Sequence, residues 1–306
     1  MSNQTTAAAN AAFNAVSVKK PAASESPAAT KNPATAPAQT GEVIVACDFA
    51  STAQFREFLP KLGAARPYLK VGMELFYATG PALVRDLKTE GFKVFLDLKL
   101  HDIPNTVGKA MRVLAELGVD MVNLHAAGGR KMVEAARLAL TLPDGSRPTK
   151  LLAVTQLTST SQEMLEEELL IHQPIEEVVT RYAATAQAGG ADGVVCSPRE
   201  AAAVKQHCGS SFLTVTPGIR FVDPAAQSTA PPATSPGGVA QAATGVTTAQ
   251  IPAGGTTPDD QVRTATPLQA RKLGSDYIVV GRPITQAVDP QAAYETCVRQ
   301  FVHSLK

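Results

Sequence analysis

Asp97 and Lys99 stand two residues apart in the run FKVFLDLK (92–99). On an extended strand that spacing sends both side chains to one face and Val94, Leu96 and Leu98 to the other, so one face is ionic and its back is apolar. Burying such charges is costly unless they pair, which suits them to proton transfer and charge stabilisation. An ion pair that merely supports the fold satisfies the same spacing, and the pair alone leaves both readings open. Other polar residues close neighbouring β-branched runs: Asp48 after EVIVAC, Lys70 in PYLKVG, Asp102 just past Lys99, His125 in VDMVNLH and Thr158 after KLLAVTQL. Two further runs end in Pro217-Gly218-Ile219-Arg220 and in Gly281-Arg282. A glycine lets the backbone approach a ligand, and an arginine fork matches phosphate oxygens, so these two ends point to a phosphate-bearing substrate.

The elements that must position these residues are repeated β-branched runs, each followed by an amphipathic stretch of helical length. Eight strands are expected, at 42–48, 67–72, 92–99, 119–125, 150–157, 191–197, 211–218 and 276–282. Between them lie helical stretches such as 105–118, 174–190 and 266–274, whose apolar residues recur at i, i+3 and i+4. Eight alternating β/α units predict one closed (β/α)₈ barrel, a TIM barrel, rather than an open doubly wound sheet. In such a barrel the polar strand ends share one mouth, where chemistry is placed.

The chain has 306 residues, with 28 Lys+Arg against 27 Asp+Glu and 18% charged residues. Near-neutrality argues against a nucleic-acid footprint and against a polybasic membrane anchor, and leaves small molecules as expected partners. No apolar run is long enough for a spanning helix, so a soluble, cytosolic protein is expected. Residues 1–41 are rich in Ala, Ser, Thr, Asn and Pro and are expected to be a disordered tail. Residues 222–258 are similar, carry a single charge at Asp223, and read as an insertion in the loop after strand 7. Setting aside those 41 and 37 residues leaves 228, with 25 basic and 25 acidic groups, an ordinary globular composition. Cys47, Cys196, Cys208 and Cys297 show no metal-type spacing and read as buried thiols of a reducing compartment. Met73, Met111 and Met121 read as core packing, and His101 as solvent-facing or loop-structural.

The segment DLKLHDIPNT (97–106) resembles the hallmark of the orotidine 5′-phosphate decarboxylase family. ACDF (46–49), LKVGMELF (69–76), VNLHAAGG (122–129), VTQLTS (154–159), VTPGIR (215–220), DDQVRTATP (259–267) and VVGRPIT (279–285) resemble family segments in the same order. The resemblance covers 42–306 apart from the insertion. It implies cofactor-independent, metal-free decarboxylation of orotidine 5′-monophosphate to uridine 5′-monophosphate in pyrimidine biosynthesis. Lys70, Asp97, Lys99 and Asp102 would form an alternating Lys-Asp-Lys-Asp array with Lys99 as proton donor. Asp48 and Lys70 would contact the ribose, and Thr158 would lie by the pyrimidine. Pro217, Arg220, Gln261, Gly281 and Arg282 would surround the phosphate. The resemblance also implies a homodimer with shared active sites, in which Asp102, Ile103 and Thr106 reach into the partner's site. His125 matches a family histidine without a chemical step. Sibling sugar-phosphate enzymes that use Mg²⁺ share the Asp-x-Lys-x-x-Asp string but place an acidic residue where this chain has Lys70, and a nucleotide-binding barrel without catalysis is the non-enzymatic alternative. The insertion departs from the family pattern and is expected to be a tolerated flexible excursion between two phosphate-binding arms.

Overall fold

The structure, a computed structural model, describes residues 41–221 and 263–303. Strands β1 (Glu42–Cys47), β2 (Tyr68–Gly72), β3 (Val94–Leu100), β4 (Met121–His125), β5 (Lys150–Val154), β6 (Gly193–Val195), β7 (Leu213–Thr216) and β8 (Tyr277–Val280) each pair in parallel with the next, and β8 pairs with β1. The sheet is therefore a closed barrel, as the eight β-branched runs predict. The outer helices are α1 (Thr52–Phe58), α2 (Met73–Thr89), α3 (Pro104–Ala115), α4 (Gly129–Ala139), α5 (Gln162–Glu167), α6 (Ile175–Ala188), α7 (Ala201–Cys208), α8 (Pro267–Lys272), α9 (Arg282–Thr285) and α10 (Pro290–Phe301). The expected insertion, Gln261 and all of the expected tail except Gly41 lie outside the described residues.

Alternation along each strand produces two apolar layers. Ile44, Ala46, Tyr68, Phe95, Met121, Leu152, Val215 and Val279 fill the barrel interior. Their sequence neighbours, among them Val43, Val45, Leu69, Val71, Val94, Leu96 and Leu98, face outward against the helices. Interior packing is closed by these side chains at mid-height, so polar residues one pleat further along each strand emerge above a solid floor. Met111 and Met121 are buried as expected, but Met73 is 43% exposed. It opens α2 at the mouth, beyond the end of β2 and above the packed layer.

Short-range signals set many element ends. Ser51, Ser161 and Asp289 accept hydrogen bonds from first-turn amides of α1, α5 and α10, and Thr266 with Gln269 forms a capping box on α8.

The opposite end of the barrel carries a repeated polar staple. Asp120, Asp192 and Asp276 each immediately precede an even-numbered strand and accept the first or second amide of the strand before it: Val94 N at 2.8 Å, Leu151 N at 2.6 Å and Thr214 N at 2.8 Å. Each also pairs with a cation from the helix leading into that preceding strand, Lys88 of α2, Arg137 of α4 and Lys205 of α7. Every staple thus ties one helix to two strands. Asp276 is 8% exposed and also accepts from Thr214 Oγ1 at 3.2 Å. Replacing it with alanine orphans a buried amide, although Lys205 keeps the carbonyls of Ser210 and Phe212. A loss of about 3 kcal/mol is therefore expected for Asp276→Ala, at the low end for breaking a buried pair. Denaturant unfolding checks this, with activity per folded molecule unchanged; an unaltered midpoint would refute the staple's role.

Candidate active site

The mouth at the C-terminal strand ends opens into a cavity of about 870 Å³, a size suited to a mononucleotide. Along one wall, β1, β2 and β3 deliver Asp48, Lys70, Asp97 and Lys99. Lys70 Nζ lies 2.9 Å from Asp48 Oδ1 and 3.4 Å from Asp97 Oδ2, and Lys99 Nζ lies 2.7 Å from Asp97 Oδ1. The charges alternate through space as carboxylate, ammonium, carboxylate, ammonium. Parallel register explains the order, because Lys70 sits beside Ala46 and Phe95, while Gly72 sits beside Asp97.

Burial works against both inner charges, and their neighbours prevail. Desolvation alone would raise the Asp97 carboxyl, but Lys70, Lys99 and the Asn123 amide hold it below the ordinary carboxylate value. Burial would likewise lower Lys70, yet Asp97 and Asp48 keep its ammonium above the usual lysine value. Both groups are therefore ionised at neutral pH. At His125, burial, then His101 and then Lys99 depress the imidazole, which favours the neutral ring. His101 itself is exposed, with its ring centroid 5.5 Å from that of His125.

The second wall is built from the later strands. Thr158 lines the cavity beyond β5, Pro217, Gly218 and Arg220 beyond β7, and Gly281 and Arg282 beyond β8. Gly218 has φ 83°, a conformation that suits glycine at this turn. A Cβ on Gly281 would make only ordinary contact with Ala46 at 3.5 Å, so packing does not demand glycine there; a side chain would instead intrude on the cavity. The two ends of the long loop meet, with Ile219 bridging Ala265 and Arg220 N donating to Ala265 O at 3.0 Å.

Asp102 does not pair with Lys99 within the chain. Its Oδ1 accepts the Ile103 amide at 2.6 Å, and Asp102, Ile103 and Thr106 all stand exposed where α3 begins. Ile103 is 66% exposed, a high value for an apolar residue.

Three contributors escaped the reading of the sequence. Gly72 is one, since a Cβ there would fall 2.9 Å from Lys70 Nζ and 3.0 Å from Asp48 Oδ1; the ion pair occupies the space a side chain would take. Its signal is period two, one pleat above Lys70. Asn123, buried and bonded to Asp97, is found by the same count back from His125. The third is Arg263, which ion-pairs with Glu200 and donates from Nη2 to Leu157 O at 2.6 Å, anchoring the returning arm beside Thr158. No local pattern betrays that one, because its partners lie in two other loops.

Residues 41–246 and 232–297 match the family described as "Orotidine 5'-phosphate decarboxylase / HUMPS family". The chain belongs to that family. An orotidine 5′-phosphate decarboxylase from Geobacillus thermodenitrificans is 51% identical over 253 residues, covering 82% of this chain and 92% of that protein. One from Listeria monocytogenes is 45% identical over 260 residues, covering 84% and 97%. Among solved structures, orotidine 5′-phosphate decarboxylase from Lactobacillus acidophilus superposes with a TM-score of 0.67 at 40% identity, covering 85% of this chain and 99% of that one. The family resemblance and the barrel expected from the sequence both stand. Among the described residues, no helix is long and apolar enough to cross a membrane.

Proposed function

We propose that this chain decarboxylates orotidine 5′-monophosphate to uridine 5′-monophosphate and CO₂, without a metal or organic cofactor, in pyrimidine biosynthesis. The observation that carries the reading is the ionic ladder Asp48–Lys70–Asp97–Lys99 on one wall of a nucleotide-sized cavity. Beyond β7 and β8, the latter beside the Asp48 end of the ladder, Gly281, Arg282 and Arg220 supply a phosphate grip, with Pro217 in the same lining. Asp48 and Lys70 hold the ribose hydroxyls, and Thr158 borders the pyrimidine.

The bond from C6 to the carboxylate breaks, CO₂ departs and the electron pair stays on C6. No carbonyl adjoins that carbon, so the charge must be met by the protein. Lys99 Nζ, fixed on Asp97, stabilises the developing carbanion and then gives it a proton. At about 4 Å and an intermediate effective dielectric one ammonium supplies about 4 kcal/mol. That is well short of the roughly 8–23 kcal/mol typical of enzymes, so phosphate and ribose binding must contribute by holding the reacting carbon against a water-poor ionic wall. Asp97 crowds the substrate carboxylate.

The active unit is a homodimer in which Asp102, Ile103 and Thr106 of one protomer complete the partner's site. Their joint exposure at the start of α3 supports this, as does the lack of an Asp102–Lys99 pair within the chain. A cytosolic setting is supported by the four buried free thiols.

Sibling sugar-phosphate reactions need carboxylates open to Mg²⁺. Here the ammonium of Lys70 already occupies the space between Asp48 and Asp97, which favours the decarboxylase reading. An ultraviolet assay tests it: loss of orotidine 5′-monophosphate with uridine 5′-monophosphate appearing, at a rate unchanged within about twofold by EDTA. No turnover would sink the reading, and dependence on added Mg²⁺ would move the chain to its siblings.

A further inference from the structure

Lys99 has φ 50°, one of two non-glycine residues with positive φ among the described residues, and it is the residue whose ammonium faces the reacting carbon in the function proposed above. β3 departs from regular pairing at the same point. Phe95 and Leu96 lie beside Met121 and Val122, but the next pair is Leu100 with Leu124, so β3 spends four residue steps where β4 spends two. Such a bulge re-aims a side chain and leaves backbone groups without ladder partners. The amide freed at Lys99 is taken by a side chain: Lys99 N donates to Asn123 Oδ1 at 2.8 Å. The other end of the same carboxamide donates from Nδ2 to Asp97 Oδ1 at 2.7 Å. Asn123 is 1% exposed, so no water competes for either bond.

We propose that Asn123 is a positioning residue that clips the Lys99 backbone into its left-handed turn and, with the same amide group, orients the Asp97 carboxylate that Lys99 rides on. One planar group thereby fixes the root and the tip of the proton donor relative to each other. The inference rests on the decarboxylase reading of this site and adds to it a residue that touches no substrate.

Only an asparagine-like group serves both ends, since the backbone amide needs an acceptor and Asp97 needs a donor. The groups facing Asn123 are Asp97 and Lys99 from β3, with Lys70 behind Asp97, while its register partner on β5 is the apolar Leu152; His125 follows two residues later on its own strand. Asn123→Leu keeps the volume and removes both bonds. Asn123→Asp keeps the shape but, when ionised, sets a carboxylate against Asp97. When protonated, it restores the acceptor for Lys99 N and a hydroxyl donor for Asp97.

Steady-state kinetics with orotidine 5′-monophosphate, product binding by calorimetry and thermal melting are to be measured on both variants and the parent. The expected result is a fall in kcat of about a hundredfold for Asn123→Leu, with uridine 5′-monophosphate affinity within about threefold of the parent. For Asn123→Asp, kcat relative to the parent should rise as pH is lowered from 8 to 6, while the same ratio for Asn123→Leu stays flat. The inference is overturned if both variants keep kcat within twofold, if kcat and product affinity fall together with the melting temperature, or if the two variants share one pH profile. Absence of turnover in the parent would instead overturn the functional reading itself.

Discussion

Lys99→Ala is expected to remove at least about four orders of magnitude of turnover while leaving affinity for uridine 5′-monophosphate within about tenfold. The size follows from two roles on one side chain. Electrostatic stabilisation of a developing anion and a positioned proton transfer are each worth about 10² or more, and no other ammonium among the described residues can take over both. Lys70 is the nearest substitute, but it is held between Asp48 and Asp97 and is only 8% exposed. The fold should tolerate the change, because Asp97 keeps the Asn123 amide at 2.7 Å and Lys70 at 3.4 Å. Product binding should survive because the proposed phosphate grip stands beyond β7 and β8 rather than on β3, and the product has no charge at C6. The ultraviolet assay and calorimetric titration measure the two quantities. Residual decarboxylation within a hundredfold of the parent would defeat the assignment of Lys99.

The second large effect is a recovery rather than a loss. Asp102→Ala alone should be nearly inactive if each site borrows that carboxylate from the other protomer. Mixing Asp102→Ala with Lys99→Ala should then restore about a quarter of parental turnover, since half the dimers are mixed and each mixed dimer holds one site with both defects and one with neither. Co-expression with two affinity tags isolates the mixed dimer, whose activity should be about half that of the parent dimer. A mixed dimer as dead as its components would place Asp102 in its own chain's site, and a fully active Asp102→Ala would place it outside the chemistry.

Much of this was legible in the residues because barrel strands announce themselves twice, by β-branched composition and by a polar residue at the mouth. Asp97 and Lys99 could be assigned to one face from their spacing alone, and the structure places them in contact. What stayed hidden depends on geometry that period two does not encode. Asn123 carries no charge; period two puts it on the face of His125, but its role there comes from a bulge on the adjacent strand. Arg263 and Glu200 meet only once two loops are folded together. Asp120, Asp192 and Asp276 fall inside the β-branched runs of the sequence, whereas each stands one position ahead of its strand and turns sideways to the neighbour. Met73 misled because an apolar residue after a strand reads as core, although a helix start above the barrel floor lies outside it.

The Asp276 staple has a consequence for the long loop between β7 and β8. It joins Thr214 to Asp276 across 62 positions, and the Ile219–Ala265 bridge closes a second ring inside it, above the barrel. In sequence, both clasps span positions 222–262, and they stand one at each end of the strands. Lengthening an enclosed loop fivefold adds only about 1.4 kcal/mol of closure entropy, and that cost falls on forming the clasps rather than on moving Arg220 or Gly281 once they are formed. The barrel is in this sense insulated from the length of the expected insertion: chain can be added between the clasps without shifting the spacing of Arg220 and Gly281.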